Sequence, residues 1–324
     1  MLWQKRIDGL RKMNNLKLEI IFGDTLSEIK KISSNSIDLI IADPPYNLGK
    51  DYGNDSDKKE FDEYIQFTKE WVGEAKRVLK DTGTLYVFMG FRFISYLYQV
   101  LEKEHTLLFN NWICWHYTQG IGKTKGFSPR HDDILMFTKS ENYYFSLDDV
   151  RVPQKFYRSI NNMRGANPGD VWKFSHVHYS NENRQDHPTQ KPEGLIERMM
   201  LASSKVGDVV LDPFSGSGTT LRVAQQLQRN CVGIEINEHY VEQTKQRLSK
   251  PFEGFDSIDP RMERIPNDLN DEHVREEYLN NHITWFLKNH QNAIENFWKE
   301  VKKKYGHKKK HQSKKIEQSQ LFEN

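Results

Sequence analysis

An apolar run that halts at two prolines constrains this chain more than any other stretch: Asp38-Leu39-Ile40-Ile41-Ala42-Asp43-Pro44-Pro45-Tyr46-Asn47. The run reads as a strand apolar on both faces, as in a parallel sheet covered by helices on either side. The prolines have no N–H to give a neighbouring strand, and Pro44 drives Asp43 out of the helical region. The strand must therefore end there and deliver an acid and an aromatic ring to the carboxyl edge of the sheet. That edge is where open α/β sheets bind ligands. A carboxylate, a proline carbonyl and a flat ring suit an exocyclic amine on a planar base. A strand that simply stops at a Pro-Pro turn explains the same residues equally well, and both readings stay open on this stretch alone.

The rest of the chain repeats the alternation. Leu16–Phe22 reads as a strand ending at Gly23-Asp24, and Thr25-Leu26-Ser27-Glu28 has capping-box spacing. Asp24 can thus cap a helix or face a ligand. Residues 47–60 are polar and turn-rich and read as a loop beside the site. Phe61, Ile65, Thr68, Val72, Ala75 and Leu79 recur at helical spacing, and Gly83 suits the cap that ends their helix. Leu85–Met89 is the next strand, and a mixed aromatic helix follows over about 91–103. Trp112–Trp115 and Ile134–Phe137 read as two further strands, joined through a basic, glycine-rich loop at 120–126.

Residues 142–186 break this rhythm. Within 151–184 stand six Lys or Arg against two acids, interleaved with Phe156, Tyr157, Trp172, Phe174 and Tyr179. Cations among rings suit a nucleic-acid surface, and an ordinary insertion with a solvated face is the plain alternative. Pro192 then opens a helix whose apolar face is Leu195, Ile196, Met199 and Met200.

A second unit of strand, acid, glycine turn and helix follows at Asp208-Val209-Val210-Leu211-Asp212-Pro213-Phe214-Ser215-Gly216-Ser217-Gly218-Thr219-Thr220. The short strand Cys231–Glu235 ends in an acid placed to accept from ribose hydroxyls, and a last helix carries Tyr240, Val241, Thr244 and Leu248. Alone this unit is weak, because Gly-x-Gly is common and also begins dinucleotide fingerprints. The third glycine of that fingerprint is missing, with Arg222 and Val223 in its neighbourhood, and there is no phosphate loop ending in Gly-Lys-Ser/Thr. A small anion such as an amino-acid carboxylate fits better than a pyrophosphate.

Together the motifs resemble those of the beta group of amino-methylating DNA methyltransferases. Asp43-Pro44-Pro45-Tyr46 is similar to their catalytic tetrapeptide, and Asp212 to Thr220 resembles their S-adenosylmethionine loop. His187-Pro188-Thr189-Gln190-Lys191-Pro192 resembles a further cofactor-pocket segment. The catalytic motif precedes the cofactor motif, which is that group's circular permutation, and the three motifs span roughly residues 16–249.

The resemblance implies an α/β fold: a doubly wound, mostly parallel sheet of the S-adenosylmethionine-dependent, Rossmann-like type, circularly permuted. The chain then reads as an arm at 1–15, a catalytic half at 16–141, a target-recognition insertion at 142–186 and a cofactor-binding half at 187–250, followed by a helical C-terminal extension at 251–304 and a basic tail at 305–324 that depart from the family's pattern, since the motifs do not cover them. In that frame Asp43 and the Pro44 carbonyl accept the two hydrogens of a flipped base's amino group, Pro45 stiffens the turn, and Tyr46 stacks on the base. Asp212, Phe214, Ser215, Gly216, Ser217, Gly218 and Thr219 line the cofactor, with loop N–H groups on its carboxylate. Glu235 holds its ribose, Asp24 meets its adenine amino group, and Thr189 and Lys191 lie near its methionine part; His187 is expected to pack or cap. Contacts to DNA are expected from Lys123, Lys125, Arg151, Lys155, Arg158, Arg164, Lys173 and Arg184.

The implied activity is site-specific methylation of adenine N6 by in-line displacement, because Asp at the first tetrapeptide position usually accompanies adenine. Cytosine N4, or an RNA substrate, is the alternative. A catalytically silent binding protein and a nicotinamide-dependent oxidoreductase are the readings from other classes. Carbon-5 cytosine chemistry would need a nucleophilic Cys after a Pro, and Cys114 follows Ile113 while Cys231 follows Asn230. Those two cysteines also offer no disulfide framework and no cysteine metal site, which fits a reducing cytosol. No metal and no membrane are expected: no apolar run is long enough to span one. The expected partners are double-stranded DNA and, for a restriction-modification pair, an endonuclease acting on the same site; a solitary modification enzyme and a homodimer are both compatible. The implied setting is the prokaryotic cytoplasm, at the nucleoid. The net charge of +2 says little about partners, although Lys302–Lys315 holds eight lysines and no acid.

Overall fold

A computed structural model describes residues 16–47, 59–117, 120, 122–152, 166–177 and 184–250, all within the unit Met1–Ile265. Eight strands form one sheet in the order β1-β8-β7-β2-β3-β5-β4-β6. They are β1 (Leu18–Phe22), β2 (Ile37–Ala42), β3 (Leu79–Met89), β4 (Leu108–His116), β5 (His131–Thr138), β6 (Val171–Lys173), β7 (Val209–Asp212) and β8 (Asn230–Glu235). Strands β1, β8, β7, β2 and β3 pair in parallel, whereas β5 runs antiparallel between β3 and β4. The helices are α1 (Thr25–Glu28), α2 (Phe61–Val78), α3 (Ile94–Gln99), α4 (Glu193–Ser203), α5 (Thr219–Leu227) and α6 (Glu238–Ser249). The sheet is thus α/β, doubly wound and mostly parallel, as the sequence implies. Among the described residues no helix is long and apolar enough to cross a membrane.

The apolar run is buried on both faces for a simple reason of period. Ile40 and Ala42 enter one core, with Tyr64, Trp71, Val72 and Ala75 of α2. Leu39 and Ile41 point the other way, into a second core with Leu195, Ile196 and Met199 of α4 and Leu221 of α5. The same alternation runs through β3, where Leu85 and Val87 join the first core and Tyr86 and Phe88 the second. Truncating one of these side chains to Ala would cost roughly 2–5 kcal/mol.

The chain leaves β2 toward β3 on one side and leaves β7 toward β8 on the other. Strands β2 and β7 are neighbours, with Leu39 beside Val210 and Ile40 beside Leu211. Their carboxyl ends therefore flank the crevice at which the winding reverses.

Two expectations need correction. Gly83 does not cap α2. That helix ends at Val78 and the chain enters β3 at once, the register on β2 jumping from Ile37–Leu79 to Leu39–Thr84. Gly83 lies in the irregular lead-in, where a Cβ would stand 2.6 Å from Leu79 and 3.0 Å from the Asp38 carbonyl. Trp172 and Phe174 are core residues, not a stacking surface: they are 8% and 2% exposed, and the Arg198 guanidinium of α4 lies 5.1 Å from each ring centre. Residues 1–15, 48–58, Phe156, Tyr157, Tyr179 and everything expected beyond 250 lie outside the described residues.

Candidate active site

Two neighbouring strand ends build the site. At the end of β2, Asp43, Pro44, Pro45 and Tyr46 line a cavity of about 1030 Å³. The turn is held from behind: the Tyr64 hydroxyl donates to the Pro45 carbonyl at 2.7 Å. Gly90, just after β3, lets the Tyr46 ring approach, since a Cβ there would lie 3.3 Å from it. Asn47 has a left-handed backbone with φ 55°. Its side-chain amide clasps Lys59, donating to the carbonyl at 2.9 Å and accepting from the N–H at 2.7 Å.

The Asp43 carboxylate is divided in two. Its Oδ2 takes a short ion pair from the Lys191 ammonium. Its Oδ1 is buried and has no hydrogen-bond partner. A buried carboxylate oxygen left unpaired is costly, and such an acceptor is retained where a ligand completes it. Lys191 also lies 5.5 Å from the Tyr46 ring centre and 5.1 Å from that of Phe88. The ammonium, the acid and two rings thus meet at one point, although the ion pair joins residues 148 apart in the chain.

At the end of β7 the loop is tied to itself. Asp212 accepts from the Phe214 N–H at 3.1 Å, and the Ser215 N–H donates to the Ile234 carbonyl at 2.9 Å. Gly216 gives its N–H to Glu235 Oε2 at 2.7 Å, while Asn237 donates to Oε1 at 2.9 Å. The Ile236 N–H also donates to Glu235, whose two oxygens then keep acceptor capacity for a further donor. The Gly218 N–H closes on the Ser215 carbonyl at 2.9 Å. The expectation that loop N–H groups meet a ligand carboxylate is thus corrected at Gly216 and Gly218, whose N–H groups serve the loop.

Both glycines are required by backbone and space. Gly216 has φ 49° and Gly218 φ 71°, the left-handed region. A Cβ on Gly216 would stand 2.9 Å from the His187 ring, and one on Gly218 2.5 Å from Thr244. Below the loop, Arg247 donates to the Ser217 carbonyl at 2.9 Å and to Thr219 Oγ1 at 3.1 Å, and pairs with Glu193 at 2.7 Å. Ser217 and Thr219 hydroxyls also lie 3.2 Å apart, and Thr219 Oγ1 reaches the Lys191 carbonyl at 3.2 Å. Phe214 stands edge-on to Trp71, ring centres 5.5 Å apart.

The flanks complete the picture. Asp24 caps α1, its Oδ2 accepting from the Ser27 N–H at 3.0 Å and hydroxyl at 3.1 Å, and it also lines the cavity. Thr189 lines the cavity and donates its N–H to His187 Nδ1 at 3.3 Å. His187 packs on Tyr240, ring centres 4.6 Å apart, in keeping with a packing role. Burial pushes the Asp212 carboxyl up to about 7, and the charges of Asp43 and Glu235 add to the effect. Burial also raises Glu235. Both cysteine thiols are raised by burial, Cys231 strongly, which makes each a poor nucleophile.

Sequence reasoning missed one wall. Tyr117, Asp132 and His176 line the cavity from β4, β5 and the segment after β6. The Tyr117 and His176 ring centres are 4.0 Å apart, and burial followed by the Asp132 charge raises the Tyr117 hydroxyl. No local pattern marks these residues; only the antiparallel turn of β5 brings them to the edge. Of the expected DNA-contacting residues, Lys123, Lys125 and Lys173 are exposed. Arg151 pairs with Asp148 at 2.7 Å, and Arg184 donates to the Val177 carbonyl at 2.7 Å while lining the cavity. Lys155, Arg158 and Arg164 lie outside the described residues.

Comparison with known proteins agrees with this geometry. Residues 37–246 match a family model described as DNA methylase. The Type II methyltransferase M.HpaI of Haemophilus parainfluenzae is 60% identical over 88% of this chain and 91% of its own length. The DNA adenine methyltransferase YhdJ of Escherichia coli is 38% identical over 73% of this chain and 84% of its own. Among solved structures, the M1.HpyAVI–SAM complex superposes with a TM-score of 0.54 at 24% identity, covering 72% of this chain and 100% of that one, a likeness of fold.

Proposed function

The chain belongs to the DNA methylase family that its residues 37–246 match, and from that premise we propose that it methylates N6 of adenine in duplex DNA. It is an S-adenosylmethionine-dependent DNA methyltransferase of the N6/N4 class. The observation that carries the proposal is the buried, unpartnered Oδ1 of Asp43 at the mouth of β2. Asp at that position, and the adenine activity in the name of YhdJ, favour adenine over cytosine.

The residues fit the cofactor on their own evidence. The cavity runs from Asp43 past the glycine loop to Glu235 and Asp24, so one elongated ligand can touch all of them. Glu235 offers its remaining acceptor capacity to a ribose hydroxyl, and Asp24 stands by for the adenine amino group. Gly216 keeps the floor free of a side chain, whereas Gly218 packs on Thr244 beneath the loop and does not line the cavity. When bound, S-adenosylmethionine supplies an electrophilic methyl on a sulfonium centre.

The protein's own task is to prepare the nitrogen. An exocyclic amine on a heteroaromatic ring is a poor nucleophile, because its lone pair is delocalised. Asp43 Oδ1 accepts one N–H, and the Pro44 carbonyl accepts the other. Two acceptors favour a pyramidal nitrogen with its lone pair available, and fixed geometry supplies the rest of the rate. Lys191 holds Oδ2 so that Oδ1 keeps its aim, and the proton shed by the nitrogen leaves through Oδ1. Tyr46 stacks on the base, which must leave the duplex to reach it. Target recognition falls to 142–186, and a restriction endonuclease for the same site is the natural partner of a chain so similar to a Type II enzyme. A cytoplasmic setting and a homodimer are part of the same proposal.

The test is nucleoside analysis after incubation with labelled S-adenosylmethionine and duplex DNA. Label is expected in N6-methyl-2′-deoxyadenosine from digested DNA. Label confined to 4-methylcytosine would overturn the adenine assignment, and transfer to RNA in preference to DNA would overturn the duplex.

A further inference from the structure

The largest unexplained feature beside the site is a single ring in water. Phe127 is 99% exposed, at the far end of the basic segment between β4 and β5. Because β5 runs antiparallel to β3, with Asp133 opposite Met89, this segment leaves the sheet at the edge that carries Asp43. Gly120, Pro129, His131 and Asp132 line the cavity, so the segment forms part of its rim.

The segment is built to present that ring. At its base, the Tyr117 N–H donates to the Arg130 carbonyl at 2.9 Å. Across its middle, the Lys123 N–H donates to Ser128 Oγ at 2.8 Å. Gly126 turns the backbone with φ 89° in open space, and Phe127 follows on the outside of the turn. Lys123 and Lys125 are exposed beside it. Phe91, a second strongly exposed ring at this edge, lines the cavity itself, whereas Phe127 stands outside it.

We propose that Phe127 enters the base stack in the place vacated by the flipped target base, while Lys123 and Lys125 grip the flanking phosphates. The inference rests on the reading of Asp43 and Tyr46 as a pocket for a flipped base. Flipping leaves a gap in the duplex that costs unstacking free energy, and an apolar wedge lowers that cost. A ring at the rim of the pocket, flanked by cations and without packing of its own, has the geometry for it. Phe127 is therefore a positioning residue: it touches neither cofactor nor the reacting nitrogen.

The full-length protein is compared with Phe127→Ala on a duplex carrying the methylation site, first mapped by modification-sensitive sequencing of DNA from expressing cells. Two substrates are used: one fully paired, and one with an abasic site opposite the target base, which is already easy to flip. On the paired duplex kcat/KM is expected to fall about 10- to 100-fold. On the abasic partner strand the variant is expected to approach the wild type, and Phe127→Trp to recover activity on both. A 2-aminopurine at the target should brighten with the wild type and much less with Phe127→Ala. Equal activity of variant and wild type on the paired duplex, or an equal deficit on both duplexes, would overturn the proposal. The ratio is read on whichever base the wild type labels, so a failed adenine assignment remains distinguishable from a failed wedge.

Discussion

The loops after β2 and β7 sit side by side at one sheet edge, yet they are finished in opposite ways. The loop after β7 is closed on itself: Gly216, Gly218, Glu235 and Asp212 exchange hydrogen bonds, and Arg247 braces them from below. The turn after β2 is stiffened by prolines and by Tyr64 but leaves Asp43 Oδ1 without a partner. The backbone of one loop is tied down before any ligand arrives, with the Ser215 hydroxyl and Glu235 left to meet a ligand, and the other presents a bare carboxylate oxygen to its substrate. The difference divides the labour: the first holds a constant cofactor, the second meets the group that reacts.

Breaking the open side should cost most. Asp43→Ala is expected to lower kcat by about 10³-fold in single-turnover methylation, since it removes the acceptor for the reacting amine. Lys191→Met comes next. It leaves a partly buried carboxylate without its cation, and single-turnover rates at saturating cofactor should drop about tenfold as Oδ1 loses its aim.

Breaking the closed side should instead show as stability and affinity. Gly218→Ala forces a Cβ to 2.5 Å from Thr244 at a left-handed backbone. A destabilisation of about 2 kcal/mol is expected in thermal unfolding, with weaker cofactor binding and kcat spared at saturation. Thr244→Ala in the same chain should restore part of the loss.

The last effect is one of pH. The Asp212 carboxyl is raised from 3.8 to about 7, so its contribution favours the folded state fully below pH 4 and is lost as pH rises through 7. Asp212→Asn keeps an acceptor for Phe214 but cannot titrate. Its melting temperature relative to the wild type should therefore climb across that window and level off above it. A constant offset from pH 4 to 8 would contradict the assignment.

Much of this was legible in the sequence because backbone chemistry dictates it. Two prolines end β2 whatever surrounds them, and the Gly-x-Gly turn with a later acid announces β7 and β8. What was not legible needed the third dimension. The Lys191–Asp43 pair joins residues 148 apart and follows only once β2 and β7 are neighbours. The wall of Tyr117, Asp132 and His176 depends on β5 turning antiparallel. Trp172 and Phe174 misled for a plain reason: interleaved rings and cations look alike whether the rings stack on bases or pack beneath Arg198. Gly83 misled because a glycine after a helix usually caps it, and here the helix had already passed into a strand.

The division of labour is tested most directly by calorimetric titration of S-adenosylmethionine into Asp43→Ala. The variant is expected to bind the cofactor with an affinity within a few-fold of the wild type while it transfers almost no methyl groups. Loss of cofactor binding in step with loss of activity would contradict the account, because the two strand ends would then be one site with one task.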